Sequence, residues 1–242
     1  MTRRTPIRLG ILVPFTNTNL EPDIALLAPL DMSVHVTRLG GYDADEIPDA
    51  GQMAELGAAE LDEPLRLIMG VRPAAVLYGC TSATLTHGPA FDRALAERIK
   101  KISGAVTVTA AGALVHGLRT LGVSRIAFAS PYVGEINQRA EAFLSEAGFG
   151  IVGRADIGQT LDNYGQGALT PDEVLELAMR ADRPAAQAIV LSCTDMRSVE
   201  TVGRIEAATG KPVVCSNQAM MRQVLDLLGI TPSRSCGRLL AA

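Results

Sequence analysis

The sequence lacks several features that mark particular classes of partner. It has no basic run longer than Arg3 and Arg4, and its formal net charge is -4, so nothing favours binding to nucleic acid or to anionic membranes. Arg8 interrupts the short apolar stretch near the N-terminus and Pro14 ends it, which argues against a signal peptide or a membrane span. We therefore expect a cytoplasmic protein with no nucleic-acid or membrane partner.

Cysteine is also scarce, and its positions are scattered. The four cysteines show neither a CxxC motif nor a cluster with histidine, so no metal site is predicted; they are Cys80, Cys193, Cys215 and Cys236. In a cytoplasmic chain they are expected to be free thiols rather than disulfides. Each one is then either a small buried side chain or a group with a chemical role.

The rest of the chain alternates between short apolar runs and longer segments with helical periodicity. With 242 residues, of which 48% are hydrophobic, it can form one large domain or two small lobes. Strands are predicted at 7–14, 33–39, 74–80, 105–111, 125–131, 150–157, 188–194 and 211–217. Helices are predicted at 50–70, 89–103, 112–122, 133–148, 171–181, 198–210 and 218–229. This alternation predicts an α/β fold with mainly parallel sheets covered by helices.

An internal repeat divides the chain into two halves. RLGILVP (8–14) resembles RIAFASP (125–131), VLYGCTSATL (76–85) resembles IVLSCTDMRS (189–198), and segment 104–122 resembles segment 210–229. Three matches in the same order predict two pseudo-symmetric, Rossmann-like lobes. We place the first lobe at 1–105 plus 212–242 and the second at 106–211.

The repeat places Cys80 and Cys193 at equivalent strand ends. Ligands of parallel sheets bind beyond the carboxyl ends of the strands, so we expect the two thiols to face each other across a cleft between the lobes. Free backbone amides after each cysteine would lower the thiol pKa and would hold a substrate carboxylate. Such a pair supports either two-base racemisation or nucleophilic cis–trans isomerisation of a carbon–carbon double bond.

The segments GILVPFTNTNLEPD, YGCTSATLTHG, IVLSCTDMRS and the central stretch 110–143 resemble the aspartate/glutamate racemase superfamily, in its maleate isomerase and arylmalonate decarboxylase branch. The resemblance implies an isomerase of a small dicarboxylate, of the maleate-to-fumarate type, with Cys80 as nucleophile and Cys193 as acid/base. It implies that carboxylates are held by the side chains of Asn17, Tyr132 and Asn163, together with the backbone amides after each cysteine, at Thr81, Ser82 and Thr194. It also implies a homodimer that needs no metal or organic cofactor.

The residues after the first cysteine depart from the isomerase pattern. Thr81 and Ser82 resemble the anion-binding turn of the decarboxylases, whereas that group has glycine in place of Cys80. Three alternatives therefore stay open: a two-cysteine racemase of an amino acid or related carboxylate, an arylmalonate-type decarboxylase, and a two-lobed ligand-binding protein without turnover.

Other polar residues have simpler interpretations. His87 and His116 are more typical of packing than of a Cys–His dyad. Asp195 and Arg197 are either pocket residues or the solvated start of a helix. The glycine-rich segment 158–167 is predicted to be a mobile loop, either one that closes over the cleft or a merely flexible surface loop.

Overall fold

The computed structural model describes residues 6–40, 49–59, 61–132 and 134–241. The strands within these ranges lie close to the predicted positions: β1 (Ile7–Pro14), β2 (Met32–Leu39), β3 (Ala75–Tyr78), β4 (Val106–Thr109), β5 (Arg125–Ala129), β6 (Gly150–Ala155), β7 (Ala188–Leu191) and β8 (Val213–Cys215). The strands at both cysteine motifs are shorter than predicted. β3 ends at Tyr78 and β7 ends at Leu191, so Cys80 and Cys193 lie in the turns that follow them.

The strands form two sheets with the same topology. The first has the order β2-β1-β3-β4 and the second β6-β5-β7-β8, and all neighbouring strands within each sheet are parallel. The α/β fold with two pseudo-symmetric lobes is thereby confirmed. The lobe boundaries at 105/106 and 211/212 stay a prediction; by hydrogen bonding, β4 belongs to the first sheet and β8 to the second.

The helices are α1 (Leu20–Leu27), α2 (Ala50–Ala58), α3 (Asp62–Met69), α4 (Thr81–Leu85), α5 (Gly88–Ser103), α6 (Ala110–Thr120), α7 (Gly134–Glu146), α8 (Gly165–Ala168), α9 (Pro171–Ala181), α10 (Val202–Thr209) and α11 (Ser216–Leu228). The single helix predicted at 50–70 is wrong, because it consists of α2 and α3. Pro64 accounts for the break: its ring is tolerated in the first turn of α3 but would disrupt a continuous helix.

The helices cover both faces of the sheets. Along β1, Leu9 and Ile11 pack in a core cluster with α6 and α11, whereas Leu12 lies in a second cluster with α2 and α3. Both clusters also contain residues of the second sheet, such as Phe128 in the first and Ala127 in the second. The hydrophobic core is therefore continuous between the lobes and holds the strand ends of both sheets in fixed positions. Of the helices described, none has the length and apolar character that crossing a membrane requires.

Candidate active site

The two cysteines follow strands that occupy the same place in their sheets. β3 and β7 each lie third in the strand order, with Cys80 two residues beyond the first and Cys193 two residues beyond the second. Cys80 is also the N-cap residue of α4, with an extended backbone. Both thiols are buried and line one cavity, as the internal repeat predicted.

This cavity has a volume of about 40 Å³ and contains every residue that was predicted to bind substrate. Its lining comprises Pro14, Thr16, Asn17, Met53, Leu56, Cys80, Thr81, Ser82, Tyr132, Asn163, Gln166, Cys193, Thr194 and Asp195. The structure thus brings the predicted residues together, while their individual roles stay predictions. Among the lining residues there is no lysine, arginine or histidine, so a carboxylate ligand would depend on amide and hydroxyl donors.

The Cys80 thiol does not have the lowered pKa expected from its position. Burial raises its pKa, and the backbone N–H groups of Ala83 and Ser82 together with the Ser82 hydroxyl, 3.6 Å from the sulfur, lower it by less. The expected lowering of the pKa was wrong, because it rested on the amide donors alone. The loss of water around the buried sulfur has the larger effect. The same donors nevertheless point at the sulfur and favour its thiolate once the proton has left.

The Cys193 thiol is also held protonated. Burial, followed by the nearby Asp195 carboxylate, raises its pKa to about 12. The Asp195 N–H donates to the sulfur at 3.4 Å, and the Cys193 thiol donates to Oε1 of Gln166 at 3.5 Å. A neutral thiol in this setting is suited to donating a proton.

Tyr132 connects the two cysteine turns. Its hydroxyl is within hydrogen-bonding reach of the Cys193 thiol and the Ser82 hydroxyl, and burial raises its pKa well above the ordinary value. The backbone of Tyr132 is fixed by Ser130, whose Oγ accepts from the Tyr132 N–H at 3.2 Å, and by Asn137, whose side-chain amide donates to the Tyr132 carbonyl. The Tyr132 hydroxyl is therefore a neutral hydrogen-bond donor that lies between the two thiols.

Asn17 joins the first lobe to the second cysteine turn. Its Oδ1 accepts from the N–H groups of Asn19 and Leu20 at the start of α1, and its Nδ2 donates to Oγ1 of Thr194 at 3.0 Å. Thr194 in turn donates to the Gly79 carbonyl at 2.9 Å. Asn17 therefore accepts from backbone N–H groups at the start of α1, and these contacts fix its amide at the cavity wall.

Three polar residues of the cavity lining were not among the predicted site residues: Thr16, Gln166 and Asp195. Gln166 belongs to α8, within the 158–167 segment, where the glycine-rich sequence indicated a loop but not which side chain enters the cavity. Asp195 was left undecided between pocket and helix start. It lines the pocket, its Oδ1 accepts from the Thr18 and Asn19 N–H groups at 2.8 and 3.0 Å, and burial raises its pKa to about 6.

The remaining cysteines and histidines lie elsewhere. His87 stacks on Phe91 with ring centroids 4.0 Å apart, and His116 pairs with Asp226 at 2.7 Å, so neither activates a thiol. Cys215 and Cys236 do not line the cavity. The described ranges contain no group of three or more histidine, cysteine, aspartate or glutamate residues placed to hold a metal ion.

Comparisons with known proteins agree with this arrangement. The maleate isomerase of Nocardia farcinica is 29% identical over 96% of this chain and 95% of its own length, and the arylmalonate decarboxylase of Bordetella bronchiseptica is 28% identical over 90% and 86%. Among solved structures, a cysteine-to-serine mutant of the Nocardia farcinica maleate cis-trans isomerase with a covalently bound succinylcysteine intermediate superimposes with a TM-score of 0.87, at 27% identity and covering 96% of this chain and 97% of that one.

A mutant of arylmalonate decarboxylase in its liganded form, with a cysteine in place of a glycine, superimposes with a TM-score of 0.85 at 28% identity, over 97% of this chain and 98% of that one. The family model described as arylmalonate decarboxylase matches residues 49–240, which is most of the chain. These similarities confirm the branch of the racemase superfamily that the motifs predicted. The chain therefore belongs to the arylmalonate decarboxylase family, within which its relatives include maleate isomerases as well as decarboxylases.

Proposed function

We propose that the protein is a cofactor-independent cis–trans isomerase of a small dicarboxylate, of the maleate-to-fumarate type. The observation that carries this proposal is the pair of thiols at equivalent strand ends on one small cavity, with the Tyr132 hydroxyl in reach of Cys193. A decarboxylase needs one proton donor, and the second thiol provides a nucleophile in addition. The relatives named as maleate isomerases support the same chemistry.

The reaction begins with addition to the double bond. Cys80 first loses its proton to bulk water. Its thiolate then forms a carbon–sulfur bond to one olefinic carbon, the π bond breaks, and the π electron pair moves onto the neighbouring carbon and that carbon's carboxylate. Cys193 then donates its proton to this carbon, which gives a succinyl thioether. The Ser82 and Ala83 amides that point at the Cys80 sulfur stabilise its anion before addition and after departure.

The single bond of the adduct then rotates, and elimination reverses the first steps. The Cys193 thiolate takes back the proton, the carbon–sulfur bond breaks, and the trans product leaves with Cys80 again a thiolate. The carboxylates would be held by Asn17, Tyr132, Asn163 and the amides after the two cysteines, because none of the described residues that line the cavity has a cationic side chain. Atoms and electrons balance without a cofactor.

Conversion of maleate to fumarate, followed by NMR, tests the proposal. We expect activity in the wild type and in the control variant Cys236→Ser, and its loss in Cys80→Ala and Cys193→Ser. In Cys193→Ser, mass spectrometry should find one maleic acid added to the peptide that contains Cys80. Full activity of Cys80→Ala would rule out the nucleophilic mechanism.

A decarboxylase function is the second candidate, because the family model carries that description and Thr81 and Ser82 resemble the decarboxylase turn. Incubation with phenylmalonate tests it, with carbon dioxide release as the readout. We expect no release, since Cys80 stands at the position where the decarboxylases have glycine. The homodimer and the cytoplasmic location remain parts of this proposal that need their own measurements.

A further inference from the structure

Gln166 lines the cavity of the two thiols but has no part in the reaction proposed above. It belongs to α8, which is held against the turn of the second cysteine. The Asn19 side chain donates from Nδ2 to the Gly167 carbonyl at 3.0 Å and to the Asp195 carbonyl at 2.6 Å. A Cβ atom on Gly167 would lie 2.8 Å from Oδ2 of Asp195, so only a residue without a side chain fits there. Packing therefore fixes Gln166 close to Cys193.

One end of the Gln166 side-chain amide contacts the proposed proton donor. The Cys193 thiol donates to Oε1 of Gln166 at 3.5 Å, and the Asp195 N–H donates to the sulfur at 3.4 Å. A thiol has a single hydrogen, so the acceptor on Gln166 sets the direction in which Cys193 holds its proton in the resting site. Because a thiol is a weak donor, this hydrogen can turn toward a substrate carbon by rotation about the Cβ–Sγ bond.

The other end of the amide, Nε2, has two hydrogens and no hydrogen-bond partner among the described residues. Three hydroxyl groups of the cavity lining already donate within the protein: Thr81 to Ser216, Ser82 to Met53 and Thr194 to Gly79. The described residues of the lining also include no cationic side chain. A substrate carboxylate therefore finds few side-chain donors in this cavity, and Nε2 of Gln166 is one that remains for it.

We propose that Gln166 contacts the substrate in the isomerase reaction, on which this inference rests: Nε2 donates to the carboxylate next to the carbon that Cys193 protonates. Oε1 and Nε2 belong to one planar amide, so the bound carboxylate and the thiol lie side by side. Addition of Cys80 moves an electron pair toward this carboxylate, and an N–H donor stabilises the negative charge as it develops. The proton passes from the Cys193 sulfur to carbon, and Gln166 neither gains nor loses one.

Gln166→Met keeps the length of the side chain and removes both polar ends of the amide. We expect kcat for maleate to fall about tenfold to a hundredfold with a smaller rise in KM, because the lost hydrogen bond is strongest when charge develops on the carboxylate. Gln138→Met, at an exposed glutamine of α7, is the matched control and should keep the wild-type kcat. Wild-type kcat in Gln166→Met would overturn the contact.

Gln166→Glu separates a substrate contact from a packing role. It keeps an acceptor for the Cys193 thiol, loses the N–H donor and adds a negative charge beside the substrate carboxylate, so it should be slower than Gln166→Met at pH 8. Protonation of the introduced carboxyl removes that charge and restores a donor, so kcat relative to the wild type should rise about fivefold or more between about pH 8 and about pH 6. A ratio that stays constant with pH would overturn the proposal, since a packing defect acts equally at each pH.

Binding of succinate, which has two carboxylates and no double bond, is a readout without turnover. Isothermal titration of the full chain should show binding that is about threefold or more weaker in Gln166→Met than in the wild type, and unchanged in Gln138→Met. Weaker succinate binding in Gln166→Met with no conversion of maleate by the wild type would overturn the isomerase and support the carboxylate contact. Conversion of maleate by the wild type, with kcat and succinate binding unchanged in Gln166→Met, would overturn the role of Gln166 alone. Neither binding nor conversion by the wild type would overturn both.

Discussion

At the scale of single residues, the active-site proposal depends on the protonation of two thiols. Cys80 has backbone donors at its sulfur, and Cys193 has the Asp195 carboxylate beside it in addition to a backbone donor. Burial raises the pKa of both, so the resting site contains two neutral thiols near neutral pH. The sequence predicted which residues meet, but the balance between burial and amide donors depends on the packing around them.

The raised pKa of Cys80 predicts its reactivity toward iodoacetamide. Only the thiolate reacts, so alkylation of the Cys80 peptide should accelerate about tenfold per pH unit between about pH 7 and about pH 9. The value of kcat/KM for maleate should rise over the same range. Mass spectrometry of quenched samples gives the rates, with glutathione as the reference thiol. Rates that do not change with pH in this range would mean that the thiolate is already formed.

Tyr132→Phe tests the phenol that lies between the two cysteine turns. Removal of the hydroxyl takes a donor from Cys193 and an acceptor from Ser82, and we expect kcat for maleate to fall about a hundredfold. The matched control is Tyr164→Phe, at a tyrosine that is 53% exposed, which should retain activity. Equal kcat in both variants would remove Tyr132 from the reaction.

At the scale of elements, the strands and most helices could be predicted because their hydrophobic periodicity is long and regular. The helix α9 was predicted at its observed bounds, since Thr170 and Pro171 mark its start. The short helices α4 and α8 were missed, because four or five residues are too few to show a period. Both helices contribute residues to the cavity, and Gln166 comes from α8. Hydrophobic periodicity is therefore least informative for the short elements that form the site.

Gly79, at the junction between β3 and α4, is too closely packed to accept a methyl group. A Cβ atom there would lie 2.2 Å from Cδ2 of Leu20 and 3.2 Å from the Leu12 carbonyl oxygen. We expect Gly79→Ala to lower the free energy of unfolding by about 1–3 kcal/mol and to reduce activity, because Cys80 is the next residue.

Gly203, near the start of α10, is the matched control for that substitution. A Cβ atom at this position meets nothing within 4 Å, and the residue is helical. Gly203→Ala should therefore raise the free energy of unfolding by about 0.5–1 kcal/mol. Urea unfolding measures both variants, and equal changes of the same sign would contradict the close approach at Gly79.

At the scale of the whole molecule, hydrogen bonds join the two lobes at their strand ends. Asn217 of α11 donates from Nδ2 to Asp23 of α1 at 2.7 Å and to the Thr194 carbonyl at 3.0 Å. Asn17 and Thr194 connect the same regions from the cavity side. The repeat in the sequence predicted two lobes that face each other. These hydrogen bonds could not be predicted, because they join residues far apart in the chain and no local sequence pattern marks them.

The buried Asp23 predicts how stability changes with pH. Burial raises its pKa from 3.8 to about 7, so the folded state binds a proton that the unfolded state releases. The contribution of protonated Asp23 to the free energy of unfolding is fully present below its pKa in the unfolded chain, 3.8. This contribution is lost as the pH rises through about 7. The free energy of unfolding should therefore fall between about pH 4 and about pH 7.

Asp23→Asn should flatten this dependence, because the amide cannot ionise and can still accept from Asn217. Part of the slope will remain, since burial also raises the pKa of Asp92 and Asp195 to about 6. Urea unfolding at a series of pH values measures the change, with the exposed Asp31→Asn as control. Identical slopes in the wild type and Asp23→Asn would show that Asp23 titrates normally.

The two sheets have the same strand order, and each places a cysteine after its third strand. A duplicated scaffold supplies the same sulfur twice, so the cysteines themselves do not determine which one attacks. The two copies differ two residues later, where Ser82 follows Cys80 and Asp195 follows Cys193. Beyond the burial common to both, the Ser82 hydroxyl lowers the pKa of the Cys80 thiol. The Asp195 carboxylate raises the pKa of both thiols, but it is the second-largest cause at Cys193 and the smallest at Cys80. This position of the duplicated motif thus distinguishes the two thiols in the direction that the proposed roles require, with Cys80 as the attacking group and Cys193 as the proton carrier.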